Sequence, residues 1–238
     1  MTSLKDKTVL IIGRGSGIAR AIAMAVSDNG GRVIAAGRHP DVLASAYRGM
    51  DIDIERADVT DEASIVALSD RIATVDHVVS TASARARGGF AELTASLVNA
   101  SFATKVTGPL LLAKHFAAKL GAGGSFLFMS GATALKPAPG MLAAVAATNA
   151  AVDAVTAGLA VELAPIRVNA IAPGTIDTGA YDALGDERKA ALFGARSAAN
   201  PARRIGTADD IAAAALAALT NGFLTGVSIP VDGGEHLV

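Results

Sequence analysis

Thr8-Val9-Leu10-Ile11-Ile12-Gly13-Arg14-Gly15-Ser16-Gly17-Ile18-Ala19-Arg20-Ala21-Ile22-Ala23 is the stretch that decides the fold. A short β-branched, apolar run passes directly into a glycine cluster, and the cluster opens a helix-forming segment. This layout is a phosphate cradle: glycines let the backbone turn tightly and approach a pyrophosphate, while the N–H groups of the helix start supply donors and a partial positive charge. The spacing is Gly13-x-x-x-Gly17-x-Ala19 and departs from G-x-G-x-x-G, because Ile18 stands where that pattern has its third glycine. Ala19 still permits close packing of helix on strand. A glycine-rich turn without a ligand would read the same way, so the rest of the chain has to decide.

Outward from that stretch, strand-like and helix-like segments alternate. This predicts an α/β, doubly wound Rossmann-like fold, one domain over residues 1–238 with a parallel sheet of about seven strands covered on both faces. The expected strands are Arg32–Ala36, Ile52–Ala57, Val75–Ser80, Ser125–Ser130, Ile166–Ile171 and a last one within Gly226–Gly234. A long helix is expected over about Leu93–Leu120, kinked at Gly108-Pro109 because proline cannot complete the helical ladder. Met141–Leu163 reads as a helix of small and apolar residues on all sides. Such a helix needs cover on more than one face, which predicts a homo-oligomer, a dimer or tetramer. The region Gly179–Gly206 is more polar, without a strong period, and reads as a substrate loop or lid with short helices.

Composition narrows the function classes. The net charge of −1 gives no electrostatic reason to expect nucleic acid or an anionic membrane as partner. With no cysteine there is no disulfide, thiolate nucleophile or cysteine metal site. The four histidines, His39, His77, His115 and His236, do not cluster, so no metal is expected. The N-terminus lacks a signal h-region, and no run reads as the ~18 apolar residues of a membrane span, which predicts a cytoplasmic protein with a small-molecule substrate.

With these residues in view, the sequence resembles the short-chain dehydrogenase/reductase family over nearly its whole length. Gly13…Gly17 looks like that family's cofactor turn and Asp58-Val59 like its adenine-contacting pair. Ile166-Arg167-Val168-Asn169 followed by Pro173-Gly174, Ile176 and Thr178 looks like its sixth strand and the turn at the nicotinamide end. Thr225-Gly226 through Asp232-Gly233-Gly234 looks like its last strand and turn. The resemblance implies a nicotinamide dinucleotide held by Gly13, Arg14, Ser16, Gly17, Ile18, Arg38, Asp58, Val59, Pro173, Gly174, Ile176 and Thr178. An NAD site places an acid about 20 residues after the glycine turn, on the ribose hydroxyls. Here that place holds Gly37-Arg38, and Arg14 lies inside the turn itself. Two guanidinium groups suit a 2′-phosphate, so the expected cofactor is NADP(H).

The family's reaction centre is where the pattern breaks. Its Tyr-x-x-x-Lys pair would fall on Val145 and Asn149, its serine near Gly131 or Ala132, and its helix asparagine on Lys105. The chain has only two tyrosines, Tyr47 and Tyr181, neither in the expected place. The expectation is an NADP(H)-dependent oxidoreductase acting on a small carbonyl, imine or related substrate with another proton source: Lys105 first, with Ser130 and Tyr181 as alternative hydroxyl donors. The competing expectation is a non-catalytic NADP(H)-binding sensor or subunit; a cofactor-independent lyase or isomerase is a third.

Overall fold

In the computed structural model, which describes residues 3–86, 90–136 and 143–238, the quoted stretch becomes strand β1 (Thr8–Ile12) and helix α1 (Gly17–Asp28). After them come β2 (Arg32–Gly37), α2 (Pro40–Ala46), β3 (Ile52–Arg56), α3 (Glu62–Arg71), β4 (Val75–Ser80), α4 (Ala95–Phe102) and α5 (Gly108–Phe116). The second half holds β5 (Leu120–Met129), α6 (Ala143–Glu162), β6 (Arg167–Pro173), β7 (Ile176–Asp177), α7 (Asp186–Ala199), β8 (Gly206–Thr207), α8 (Ala208–Thr220) and β9 (Ser228–Val231).

Seven strands form one sheet in the order β3-β2-β1-β4-β5-β6-β9, every pair parallel. The period-2 side-chain alternation of β1 sorts its residues between two cores. Val9 and Ile11 join Ile22 and Val26 of α1 and Ile211 and Ala215 of α8 on one face. Leu10 and Ile12 join Ile65 of α3, Phe116 of α5, Phe126 and Phe128 of β5 and Val152 of α6 on the other. The strand order reverses between β1 and β4, and the crevice outside their carboxyl ends is where a sheet of this kind binds its ligand.

The structure departs from the sequence expectations in four places. β5 begins at Leu120 rather than Ser125: Val75 pairs with Leu120, and the register shifts before His77 pairs with Ser125. At Gly108-Pro109 the helix widens instead of simply bending. Ala103–Thr107 is a π turn, and Pro109 has no N–H to donate to the carbonyl of Lys105. The polar region contains a 14-residue helix, α7, behind the left-handed Gly185, with acidic Asp186 and Glu187 in its first turn; no residue of it is buried, which is why it carries no apolar period. Finally, α6 is by length and composition apolar enough to cross a membrane. It lies against the sheet instead, with Thr148, Asn149, Val152 and Thr156 buried. The expected first residues of that helix, Met141 and Leu142, lie outside the described residues.

Signature residues of β6 hold the far end of the sheet. Arg167 donates to the carbonyls of Ala218 and Leu219 at 2.8 Å, capping α8, and Asn169 Nδ2 donates to Leu224 O at 2.8 Å. Nearby His77 is buried, 2.8 Å from Ser125 Oγ through Nδ1. Burial first, then the Arg167 charge, push its pKa down to about 4. The unfolded chain therefore takes up a proton near 6.5 that the fold accepts only near 4, so stability is lost as pH falls through this window. Urea unfolding should show about 3 kcal/mol lost between pH 7 and pH 4 on account of this group, and His77→Asn should flatten that slope; an unchanged slope would contradict a buried neutral imidazole.

Candidate functional site

The glycine turn is built by close approach. Gly17 takes a left-handed φ of +55°, and a Cβ there would lie 3.0 Å from Thr178 Cβ. A Cβ on Gly37 would lie 2.6 Å from Gly13 O, so the turns carrying Arg14 and Arg38 are in contact. Gly13 donates to Ala36 O at 2.9 Å and Thr81 to Ile12 O at 2.8 Å, tying the ends of β2, β1 and β4 into one rim. Ser16 is the N-cap of α1 in an extended conformation, and its hydroxyl makes no capping bond. The first N–H groups of α1 are therefore presented without a side-chain acceptor, as an anion cradle requires.

Arg14 and Arg38 are both exposed, and among the described residues neither forms a side-chain hydrogen bond or an ion pair. Asp58 lies within reach of the Arg38 charge. Burial would raise its pKa, but hydrogen bonds from Thr60 and the charges of Arg38 and Arg56 outweigh that and hold it below the usual carboxylate range. Val59 packs on Gly108, where a Cβ would come within 3.0 Å of Val59 Cβ. On the other side of the crevice, Thr175 donates from N and Oγ1 to Glu235 at 2.8 and 3.1 Å, and Arg196 of α7 donates to the same carboxylate at 2.7 Å. Glu235 thus fastens the Pro173-Gly174 turn to α7. Sequence reasoning missed it, since no motif marks a lone terminal glutamate.

The structure brings Lys105 and Ser130 together. Lys105 sits in the π turn, 7% exposed, and its Nζ donates to Ser130 O at 3.1 Å and to Asn149 Oδ1 of α6. Asn149 cannot flip freely, because its Nδ2 donates to Thr133 Oγ1 at 2.7 Å. The Ser130 hydroxyl donates to Asn149 O at 3.0 Å, so its proton is already engaged. Burial, aided by the charge of Arg85 and opposed by Asp153, pushes the Lys105 ammonium down to about 7. Tyr181 is not a hydrogen-bond partner of this cluster; its ring packs edge-on against Phe193, centroids 5.4 Å apart, and Lys189 lies over the same Phe193 ring. Lys189 pairs with Asp177 and Asp182, tying α7 to the segment before it. No residue of α6 in Ala143–Glu162 is a tyrosine or a lysine.

Comparison with known proteins agrees with this fold. The sequence model of the enoyl-(acyl carrier protein) reductase family matches residues 12–236. The chain is 32% identical to the short-chain dehydrogenase/reductase ucsE of Acremonium sp, over 98% of this chain and 96% of that one. Among solved structures it is similar to a small-chain dehydrogenase in complex with NADPH, at 31% identity and a TM-score of 0.83, covering 98% of this chain and 100% of that one. It is also similar to the MalC reductase/Diels-Alderase of Malbranchea aurantiaca, at 28% identity and a TM-score of 0.90, covering 99% and 98%. The chain belongs to the short-chain dehydrogenase/reductase family of oxidoreductases.

Proposed function

We propose that this chain is an NADP(H)-dependent oxidoreductase that reduces a small carbonyl, imine or related substrate, with Lys105 as the proton source in place of the family's tyrosine. The single observation that carries this reading is the buried ammonium of Lys105, bonded among the described residues to neutral oxygens of Ser130 and Asn149 at the carboxyl end of β5. In this reading Asn149 occupies the place of the family's lysine and Lys105 that of its asparagine, so the cation reaches the same point from the opposite helix.

The cradle fits the dinucleotide. Gly13, Ser16, Gly17 and Ile18 would hold the pyrophosphate, Asp58 and Val59 the adenine, and Pro173, Gly174, Ile176 and Thr178 the nicotinamide end. Arg14 and Arg38, without a side-chain hydrogen bond or ion pair among the described residues, would take the 2′-phosphate. The reduced nicotinamide supplies the hydride. Lys105 stabilises the developing oxyanion and gives up a proton, which a group with a pKa of about 7 does readily at neutral pH. Among the described residues it has two acceptors, so its third N–H is left for the substrate. Ser130, its hydroxyl directed to Asn149 O, helps by holding Asn149 rather than by donating a proton. The NADPH complex of a similar dehydrogenase and the description of a similar protein as a reductase/Diels-Alderase both support a reductase scaffold.

The segment 179–206 serves as the lid over this crevice within a single domain, with Tyr181 packed on α7 as part of its body. A second copy of the chain covers the outer face of α6, where Val161 is 80% exposed, giving a dimer or tetramer. The absence of tyrosine on α6 also favours a second reading, a non-catalytic NADP(H)-binding subunit. One experiment separates them: with NADPH bound, cofactor absorbance is followed against carbonyls, cyclic imines and activated alkenes. Turnover of any class supports the oxidoreductase, whereas tight NADPH binding without turnover supports the second reading.

A further inference from the structure

Lys105 has a property that proton donation does not use. Asn149 Oδ1 and Ser130 O accept two of its N–H bonds, and the bond from Asn149 Nδ2 to Thr133 Oγ1 fixes which end of the amide faces the lysine. An amine nitrogen is tetrahedral. With two N–H groups committed in these directions and one position used by the side chain, the fourth position points away from both acceptors. In the ammonium it carries a third proton; in the free amine it carries the lone pair. Among the described residues no carboxylate is bonded to Nζ to hold it protonated. The charged groups acting on it are Arg85, from the segment after β4, and Asp153, one turn after Asn149 on α6, whose Oδ1 is buried without a hydrogen-bond partner.

We propose that Lys105 is also an imine-forming nucleophile toward small aldehydes and ketones, a covalent activity independent of the dinucleotide. The lone pair of Nζ attacks the carbonyl carbon, and the carbonyl π pair moves to oxygen, which takes up a proton while nitrogen gives one up. The resulting carbinolamine loses its oxygen as water and the C=N bond forms. The balance is one amine and one carbonyl giving one imine and one water, with no oxidant or reductant; hydrolysis reverses it. Protonated, this imine acidifies the adjacent C–H, so the chemistry it supports is exchange or cleavage next to the carbonyl. This rests on the placement of Lys105 at the crevice but not on NADP(H) turnover.

The free amine fraction supports the same conclusion: a lysine at about 7 carries roughly 10³-fold more neutral amine at pH 7 than one at the ordinary 10.4. The test is to incubate the full-length protein with propanal or acetone and cyanoborohydride at pH 7, then map the alkylated lysine by mass spectrometry. Expected is labelling of Lys105 at least 10-fold faster than any exposed lysine, and its loss in Lys105→Met with the circular dichroism unchanged. Arg85→Gln should slow labelling at pH 7 and not at pH 10, and Asp153→Asn should speed it at pH 7, opposite signs that a merely structural role would not produce. Labelling spread over surface lysines while Lys105 stays unmodified overturns the proposal. NADPH-dependent turnover, measured separately without cyanoborohydride, distinguishes its failure from failure of the reductase reading.

Discussion

Replacing Lys105 by methionine is expected to slow NADPH-dependent turnover by about 10²–10⁴-fold, the usual contribution of a positioned general acid, while NADPH affinity stays within a few-fold. Methionine keeps the length and apolar stem of the side chain, so the π turn of Ala103–Thr107 keeps its packing and only the charge is lost. The pH dependence carries the sign. In the proposed role Lys105 acts as an acid in its protonated form, and burial holds its pKa at about 7. The wild-type rate is therefore full below that value and falls as pH rises through it, and the methionine variant lacks this limb. Ser130→Ala should leave turnover within about tenfold, because the Ser130 proton is already given to Asn149 O. Steady-state rates across pH 5–10 check all three; a larger loss in Ser130→Ala than in Lys105→Met would reverse the assignment.

Arg38→Asp should invert the choice of cofactor. A charge-assisted hydrogen bond from one guanidinium is worth about 1.5–3 kcal/mol, or roughly 10–100-fold in NADPH affinity, and the new carboxylate adds repulsion of the 2′-phosphate. The same carboxylate accepts hydrogen bonds from the free ribose hydroxyls of NADH, so affinity for that cofactor should rise. Because Gly13 N donates to Ala36 O at 2.9 Å, the two arginine-bearing turns are tied together, and Arg14→Gln should weaken NADPH in the same direction. Fluorescence titration of both cofactors reads this; an unchanged preference for NADPH would place the phosphate elsewhere.

Much of the fold was legible because it is local. The apolar run Val9–Ile12, the glycine turn and the glycines after α1 each announce themselves within a few residues. The start of β5 was not, since Leu120 is drawn into the sheet by a partner, Val75, 45 positions away. The α7 helix was hidden because it is polar overall and none of its residues is buried, so few apolar residues mark a core-facing side. In the site, Lys105 and Ser130 could be named from their order along the chain, but the contact of Lys105 with Asn149 spans 44 positions. The direction of the Asn149 amide depends on Thr133, a residue no motif selects. The engagement of the Ser130 hydroxyl with Asn149 O, which argues against Ser130 as donor, is likewise a fact of three dimensions.

A crystal structure of the NADP+ complex is the most direct test of the account. The account predicts Lys105 Nζ as the ionisable group facing the nicotinamide C4. The hydroxyl of Tyr181 in that place, with Lys105 turned away from the nicotinamide, would contradict it.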